Sequence, residues 1–200
     1  MWDQNIEPLP SVQPDTVFVE PIYVAEGTHA SVYQVTAVTT EGNETRCCLK
    51  LFREGWMTPF NLERTAYTYL RNADVTYYIP EVYGWGKRTR KGWGLNGNGE
   101  TEYYGIVMEW LEGAEKLTGQ NVSLDHAVTL AYGLSKIHDA GILHFDGFDR
   151  NMMIFPGSER AVWIDFSCAQ VGSSESAYRA ETYSSGAIPM DDVSSPYLNP

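Results

Sequence analysis

The chain has few basic residues. Its 200 residues include 14 Lys and Arg against 26 Asp and Glu, which gives a formal net charge of −12. Nucleic acids and anionic membrane surfaces attract positive charge, so this acidic balance argues against both as partners. The chain also lacks an uninterrupted apolar run of about 18 residues, the shortest run expected for a membrane-spanning helix. We therefore expect a protein that binds neither nucleic acid nor a membrane.

Cysteine is also scarce, with three residues in the whole chain. Two of them, Cys47 and Cys48, are adjacent, which makes a disulfide framework a poor interpretation and favours reduced thiols in a cytosolic protein. The first five residues, Met1 to Asn5, contain neither the basic nor the apolar segment of a signal peptide. Together these absences predict a cytoplasmic protein.

The residues that are present suit a folded domain. Hydrophobic residues make up 43% of the chain, and six Trp and 13 Tyr provide large side chains for a core. A chain of this length fits one domain, or two small lobes that share a cleft. Hydrophobic patterns predict an α+β fold with strands over 17–24, 33–39, 45–52, 77–85 and 103–110, helices over 58–71 and 123–140, and short strands over 152–155 and 161–164.

Two segments lack such patterns. Residues 1–16 are polar and rich in proline, and we expect them to form an arm on the surface. Residues 86–99 are rich in glycine and hold four of the 14 basic residues. This basic segment has two interpretations, a solvated hairpin loop or a contact for an anionic substrate or partner.

A set of acidic and amide side chains follows the second predicted helix. Asn151 comes five residues after Asp146, and Asp165 comes fourteen residues after Asn151. The strands over 152–155 and 161–164, joined by a turn, would bring Asn151 and Asp165 to the same edge of a hairpin. Phosphoryl transfer from a nucleotide needs such a set, because one carboxylate positions the attacking hydroxyl while an amide and a second carboxylate hold metal ions.

The order of these residues carries a family resemblance. H-x-D-x-x-x-x-N over 144–151 and D-F at 165–166 resemble the catalytic loop and metal-binding motif of protein kinases, and Lys50 in C-C-L-K-L-F is similar to the lysine of the kinase V-A-I-K strand. The resemblance covers most of residues 20–170. W-I-D-F-S-C-A-Q over 163–170 looks like the same segment of small fungal kinase-like proteins related to aminoglycoside- and choline-kinase-type phosphotransferases.

The resemblance implies a two-lobed protein-kinase-like fold with a reduced C-terminal lobe. Its parts would be an N-terminal arm over 1–16, an N-lobe of antiparallel sheet plus one helix over 17–108, a hinge over 109–113 and a reduced C-lobe over 114–200. The same resemblance implies ATP and Mg²⁺ as cofactors. The implied reaction is transfer of a phosphoryl group to a hydroxyl of a small molecule, in preference to a protein.

The resemblance also assigns catalytic and metal-binding roles to residues at matching positions. Asp146 would orient the acceptor hydroxyl, and Lys50 would contact the nucleotide phosphates while Glu63 of the first helix holds it in place. Asn151 and Asp165 would hold Mg²⁺ through oxygen atoms. In the same loop we expect His144 to be a packed, hydrogen-bonded residue and Asp149 to be exposed or to cap a turn. Glu54 is the alternative partner for Lys50.

The resemblance assigns a second group of residues to contacts with the nucleotide base and with its phosphates. Gly27 and Val32 occupy the position of the kinase glycine-rich loop, and the backbone of Met108 to Leu111, with Glu109 between them, would offer hydrogen bonds to the adenine edge. Ala25 and Ala30 replace the outer glycines of that loop, which weakens the prediction of tight nucleotide binding because glycine lets the backbone approach phosphates closely.

The catalytic loop and the metal-binding motif also depart from the kinase pattern. Phe145 and Phe148 stand where protein kinases carry Arg and Lys, and Ser167 replaces the glycine after D-F. Two functions of different class therefore stay open, an active phosphotransferase and a pseudokinase that serves as a nucleotide-binding or scaffold module. Nucleotidyl transfer at the same site is a third possibility.

Overall fold

A five-stranded antiparallel sheet forms the first half of the computed structural model, which describes residues 10–12, 16–53, 55–91 and 100–172. Its strands are β1 (Val17–Glu26), β2 (Ala30–Val38), β3 (Glu44–Arg53), β4 (Val82–Lys91) and β5 (Glu100–Glu109). Their order is β1-β2-β3-β5-β4, so β3 is central and pairs with both β2 and β5. A side chain on β3 is thus held by neighbours on both sides.

Helix α1 (Met57–Asn72) lies between β3 and β4 in the chain. Its buried residues recur at helical spacing, and they are Phe60, Glu63, Ala66, Tyr67 and Leu70. The sequence prediction starts this helix at residue 58. The helix begins one residue earlier, and Trp56 occupies the cap position without a side-chain hydrogen bond.

The second half consists of helix α2 and short strands. The elements are β6 (Glu115–Lys116), α2 (Leu124–Asp139), β7 (Ile142–Leu143), a 3₁₀ helix (Asp149–Asn151), β8 (Met152–Ile154), β9 (Ala161–Trp163) and β10 (Gln170–Val171). Strands β6, β8 and β9 form one small sheet, while β7 pairs with β10. Ser123 caps α2 in a capping box with His126. Both ends of this helix lie within one residue of the predicted bounds.

Residues 77–85 are not one strand, contrary to the sequence prediction. Thr76–Tyr78 form a 3₁₀ helix, and β4 begins only at Val82. Strand β4 then runs into the predicted loop over 86–99 as far as Lys91, and β5 begins at Glu100, three residues before its predicted start. Lys87 supports this extension, because it forms an ion pair with Glu102 of β5 and its ammonium lies over the Tyr104 ring. The rest of that basic segment, residues 92–99, lies outside the described residues.

Part of the predicted arm is attached to β4. The Val12 N–H donates to the Trp85 carbonyl at 2.8 Å, and the Trp85 N–H donates to the Pro10 carbonyl at 3.1 Å. Gly84 permits this approach, since a Cβ atom there would lie 2.6 Å from the Pro10 oxygen. Residues 1–9 and 13–15 of the predicted arm lie outside the described residues.

One hydrophobic cluster joins the two halves. It includes Phe52 and Tyr67 from the first half, and Ile137, Trp163 and Phe166 from the second. The fold is α+β, with a mostly antiparallel sheet and two α-helices among the described residues, as the sequence predicts. No helix in the described part of the chain is long and apolar enough to cross a membrane.

Candidate active site

A cleft of about 720 Å³ is lined by residues of both halves. The β1–β2 turn, β3, α1, the segment after β5, and the loops around Asp146 and Asp165 all contribute to it. Every site residue predicted from the sequence lines this cleft, namely Gly27, Val32, Lys50, Glu63, Met108, Glu109, Leu111, Asp146, Asn151 and Asp165. Glu54, the alternative partner of Lys50, lies outside the described residues.

Lys50 lies at the centre of the site. Its backbone pairs with Val32 of β2 and Ile106 of β5, and only 8% of the residue is exposed. Its Nζ donates hydrogen bonds of 2.7 Å to Glu63 Oε2 and 2.7 Å to Asp165 Oδ1. Burial lowers the pKa of Lys50, but the two carboxylates outweigh burial and raise it above its ordinary value. The ammonium is therefore charged and joins α1 to the loop of Asp165.

Glu63 is fully buried on the inner face of α1. Burial raises its pKa from 4.5 to about 7, although the Lys50 charge opposes that change. Its second oxygen, Oε1, is buried and has no hydrogen-bond partner among the described residues. The nearby Phe166 backbone N–H lowers the Glu63 pKa slightly by its partial positive charge. It is not close or well aligned enough to count as a hydrogen bond to Oε1.

Asp165 adopts a left-handed backbone conformation, with φ of 64°. Such a conformation is uncommon for a residue other than glycine and occurs often at functional sites. Its Oδ1 accepts from Lys50, from the Ser167 hydroxyl at 2.6 Å and from the Ser167 N–H at 3.3 Å. Burial raises the Asp165 pKa, but the Lys50 charge and these hydrogen bonds lower it to about 2. This carboxylate is therefore ionised at neutral pH, with three donors on one oxygen.

The loop around Asp146 is held by His144 and Asn151. His144 is buried, and its Nδ1 accepts from the Asp146 N–H at 3.3 Å. Its Nε2 must then carry the proton that bonds the Ile164 carbonyl at 3.0 Å. The expectation of a packed, hydrogen-bonded His144 is confirmed. Asn151 Nδ2 donates to the Asp146 backbone oxygen at 2.8 Å and to Asp146 Oδ2 at 2.7 Å.

Three functional contacts escape sequence reasoning. Ser167 bonds the Asp165 carboxylate, and Arg150 forms an ion pair with Asp146. Tyr67, one helical turn after Glu63, lies edge-on to the Phe166 ring at 5.1 Å and holds that side chain in the core. The spacing of Glu63 and Tyr67 on one helix face is the available signal for Tyr67. The other two contacts depend on loop conformations that no local pattern predicts.

Two oxygen ligands are available for a cation. The amide nitrogen of Asn151 is used by Asp146, which leaves its amide oxygen as the atom that can bind a metal. Asp165 is ionised, and the hydrogen bonds described above fall on Oδ1 rather than Oδ2. No cluster of three or more His, Cys, Asp or Glu that could hold a metal occurs among the described residues. This donor set fits Mg²⁺ that takes its other ligands from phosphate oxygens and water.

The buried Glu63 predicts a pH dependence of folding. Its pKa is about 7 in the folded chain against 4.5 ordinarily, so the folded state holds this proton more tightly than the unfolded state. The free energy of unfolding should therefore fall as the pH rises from 4.5 to 7, by on the order of 3 kcal/mol. Glu63→Gln should remove that decline, which urea unfolding at a series of pH values would measure. Parallel curves for the two proteins would contradict the prediction.

Comparisons with known proteins do not identify a family for this chain. No protein-family model matches it, and no curated protein shows significant sequence similarity to it.

Proposed function

We propose that the chain is an ATP- and Mg²⁺-dependent phosphotransferase with a two-lobed, protein-kinase-like fold, acting on a hydroxyl of a small molecule. The observation that carries this proposal is the position of Lys50, 2.7 Å from both Glu63 and Asp165 in a cleft that Asp146 and Asn151 also line. A charged lysine held between a helix carboxylate and a carboxylate that can bind a metal resembles the arrangement that protein kinases use for phosphoryl transfer.

The cleft also suits a nucleotide. Its volume of about 720 Å³ lies within the range of small-molecule sites, roughly 300 to 1,000 Å³. At the end of β5 the Glu109 N–H donates to the Glu81 carbonyl, and beyond β5 the Leu111 carbonyl accepts from the Ala114 N–H. None of the hydrogen bonds described for this segment uses the Leu111 N–H, which would be available to a base. Met108 and Val32 would then contact the ring.

The proposed mechanism assigns separate tasks to the loop residues. Bound Mg²⁺ would neutralise phosphate charge, and Asp165 and Asn151 would hold it. Lys50 would contact the phosphates, since its ammonium is already oriented by two carboxylates. Asp146 would accept a hydrogen bond from the acceptor hydroxyl and align it with the terminal phosphorus. Most of the rate gain would come from this positioning and from charge stabilisation.

A small acceptor is favoured by the residues around Asp146. Phe145 stands where the resemblance places the arginine that protein kinases use to read a phosphorylated activation segment. Phe145 and Phe148 are both about half exposed, so two aromatic rings occupy the surface where the resemblance places an arginine and a lysine. The chain would therefore act without control by such a segment.

A nucleotide-binding module without transfer is the second candidate. Both carboxylate oxygens of Asp146 are already hydrogen-bonded by Asn151 and Arg150, and alanine replaces the outer glycines of the nucleotide loop at positions 25 and 30. A chain that binds nucleotide without transfer does not need a free Asp146 carboxylate, and it could work with a loop that holds the phosphates less closely.

Nucleotide binding and ADP release separate the two candidates. We expect the thermal midpoint to rise with ATP and Mg²⁺ together, by the equivalent of about 2.7 kcal/mol at a hundredfold excess over the dissociation constant. Mg²⁺ alone should leave the midpoint unchanged, because the described residues of the cleft offer it two ligands, too few for tight binding without phosphate. We also expect ADP release with a panel of hydroxyl compounds, lost in Asp146→Ala. Binding without ADP release would favour the binding module, and no binding would contradict both candidates.

A further inference from the structure

The carboxylate of Asp146 is hydrogen-bonded on both of its oxygens by neighbouring side chains. Asn151 Nδ2 donates to Oδ2 at 2.7 Å, and the Arg150 guanidinium donates to Oδ1. An acceptor hydroxyl that approaches this carboxylate would meet Arg150 or Asn151 at each oxygen. The proposed transfer would be favoured if either Arg150 or Asn151 released its oxygen of Asp146, because the acceptor hydroxyl could then bond that oxygen.

Arg150 is the more exposed of the two partners. Asn151 is 5% exposed, makes a second hydrogen bond to the Asp146 backbone, and accepts from the Ile164 N–H at 2.9 Å. The Arg150 side chain is 56% exposed. Its guanidinium carbon lies 4.4 Å from the centre of the Phe148 ring, which itself is half exposed. Stacking on that ring orients the guanidinium plane while its edge N–H groups stay available to an anion.

The cleft contains more acidic than basic residues, and few of its cations are available to a phosphate. Five acidic residues line the cleft, namely Glu26, Glu63, Glu109, Asp146 and Asp165, against three Lys and Arg residues. Lys50 is occupied by two carboxylates, and Lys116 lies on β6 beside the segment that would contact the base. Arg150 is thus the cation beside the carboxylate that would face the terminal phosphate of a nucleotide.

We propose that Arg150 exchanges its partner when a nucleoside triphosphate binds. It would leave Asp146 Oδ1 and bind the terminal phosphate through its guanidinium fork, which matches phosphate geometry. The same movement would free Oδ1 for the acceptor hydroxyl. This inference rests on the proposed function, and it makes Arg150 the residue by which the chain distinguishes a triphosphate from a diphosphate.

The ratio of two dissociation constants tests the exchange without an acceptor. Isothermal titration calorimetry with Mg²⁺ would compare a non-hydrolysable ATP analogue (the β,γ-imido compound) with ADP. We expect Arg150→Ala to weaken the triphosphate analogue by roughly 10- to 100-fold, the effect of losing one or two charge-assisted hydrogen bonds. ADP binding should change by less than about threefold, because ADP lacks the phosphate in question. Arg150→Lys should recover part of the triphosphate affinity.

Arg46→Ala is the matched control. Arg46 is also an exposed arginine, 58% against 56% for Arg150, and it also pairs with a single carboxylate, that of Glu112. It does not line the cleft, so both affinities should stay at wild-type values. An Arg150→Ala variant that weakens both ligands equally, or neither, would overturn the exchange and leave the proposed function standing. Failure of the wild-type chain to bind either ligand would overturn both.

Discussion

Lys50→Met should destabilise the chain by about 3 to 5 kcal/mol and abolish nucleotide binding. Removing one partner of a buried ion pair leaves an uncompensated charge, and that cost falls in this range. Glu63 is fully buried and would keep no cation, so the loss should be smaller at pH 5, where Glu63 can take up a proton, than at pH 8. Urea unfolding at both pH values and calorimetry with MgATP would measure the two effects.

Two further variants separate the structural and the binding roles of Lys50. Lys87→Met is a surface control, because Lys87 pairs with Glu102 where both side chains are substantially exposed, and such exposed pairs contribute little to stability. The double variant Lys50→Met with Glu63→Leu removes both buried charges and should recover much of the stability. It should still fail to bind nucleotide. A double variant that binds MgATP normally would contradict the role given to Lys50.

Asp165→Asn should lower the affinity for MgATP by about a hundredfold or more while the fold persists. Asparagine is of similar size but removes the charge that would hold the cation, and a hundredfold loss corresponds to about 2.7 kcal/mol of binding free energy. Lys50 would keep Glu63 as a partner, so the unfolding transition should survive. Thermal unfolding with and without MgATP would show a retained transition and a lost ligand shift.

Asp149→Asn provides the matched comparison for that experiment. Asp149 lies in the same loop as Asp146, is exposed, and accepts from the Arg150 N–H at 2.8 Å. It is therefore exposed, one of the two positions that the sequence predicts for it, and it does not line the cleft. Its substitution should leave the ligand shift intact. Equal losses in the two variants would mean that general negative charge in the loop, rather than Asp165, governs binding.

Much of the candidate site could be predicted because its residues are placed by regular elements. The alternation of β3 puts Lys50 and Cys48 on the face that lines the cleft, and the helical spacing of α1 turns Glu63 toward it. Asn151 directly precedes β8 and Asp165 follows β9, so the pairing of these two strands fixes the position of one residue relative to the other. At these residues the local pattern of the strand, helix or hairpin also fixes the direction toward the cleft. The sequence motif was therefore enough to predict that they lie together.

Other features depend on contacts that no local pattern contains. The aromatic run at Tyr77 and Tyr78 favours a strand by propensity, but Tyr78 packs edge-on against Tyr132 of α2 at 5.7 Å in a 3₁₀ turn. Tertiary packing overrides propensity there. The pairing of Arg150 with Asp146, and of Ser167 with Asp165, follows from loop conformations that include the positive φ of Asp165. Such conformations are set by the whole site.

The central claim is that Asn151 and Asp165 hold a nucleotide-bound cation beside Lys50. A crystal structure of the chain with the imido ATP analogue, with Mn²⁺ in place of Mg²⁺, would test it through the anomalous signal of the manganese. We predict a peak about 2.1 Å from oxygen atoms of both Asn151 and Asp165, with phosphate oxygens within hydrogen-bonding distance of Lys50. A manganese peak away from these two residues, or a nucleotide bound outside the cleft, would contradict the account.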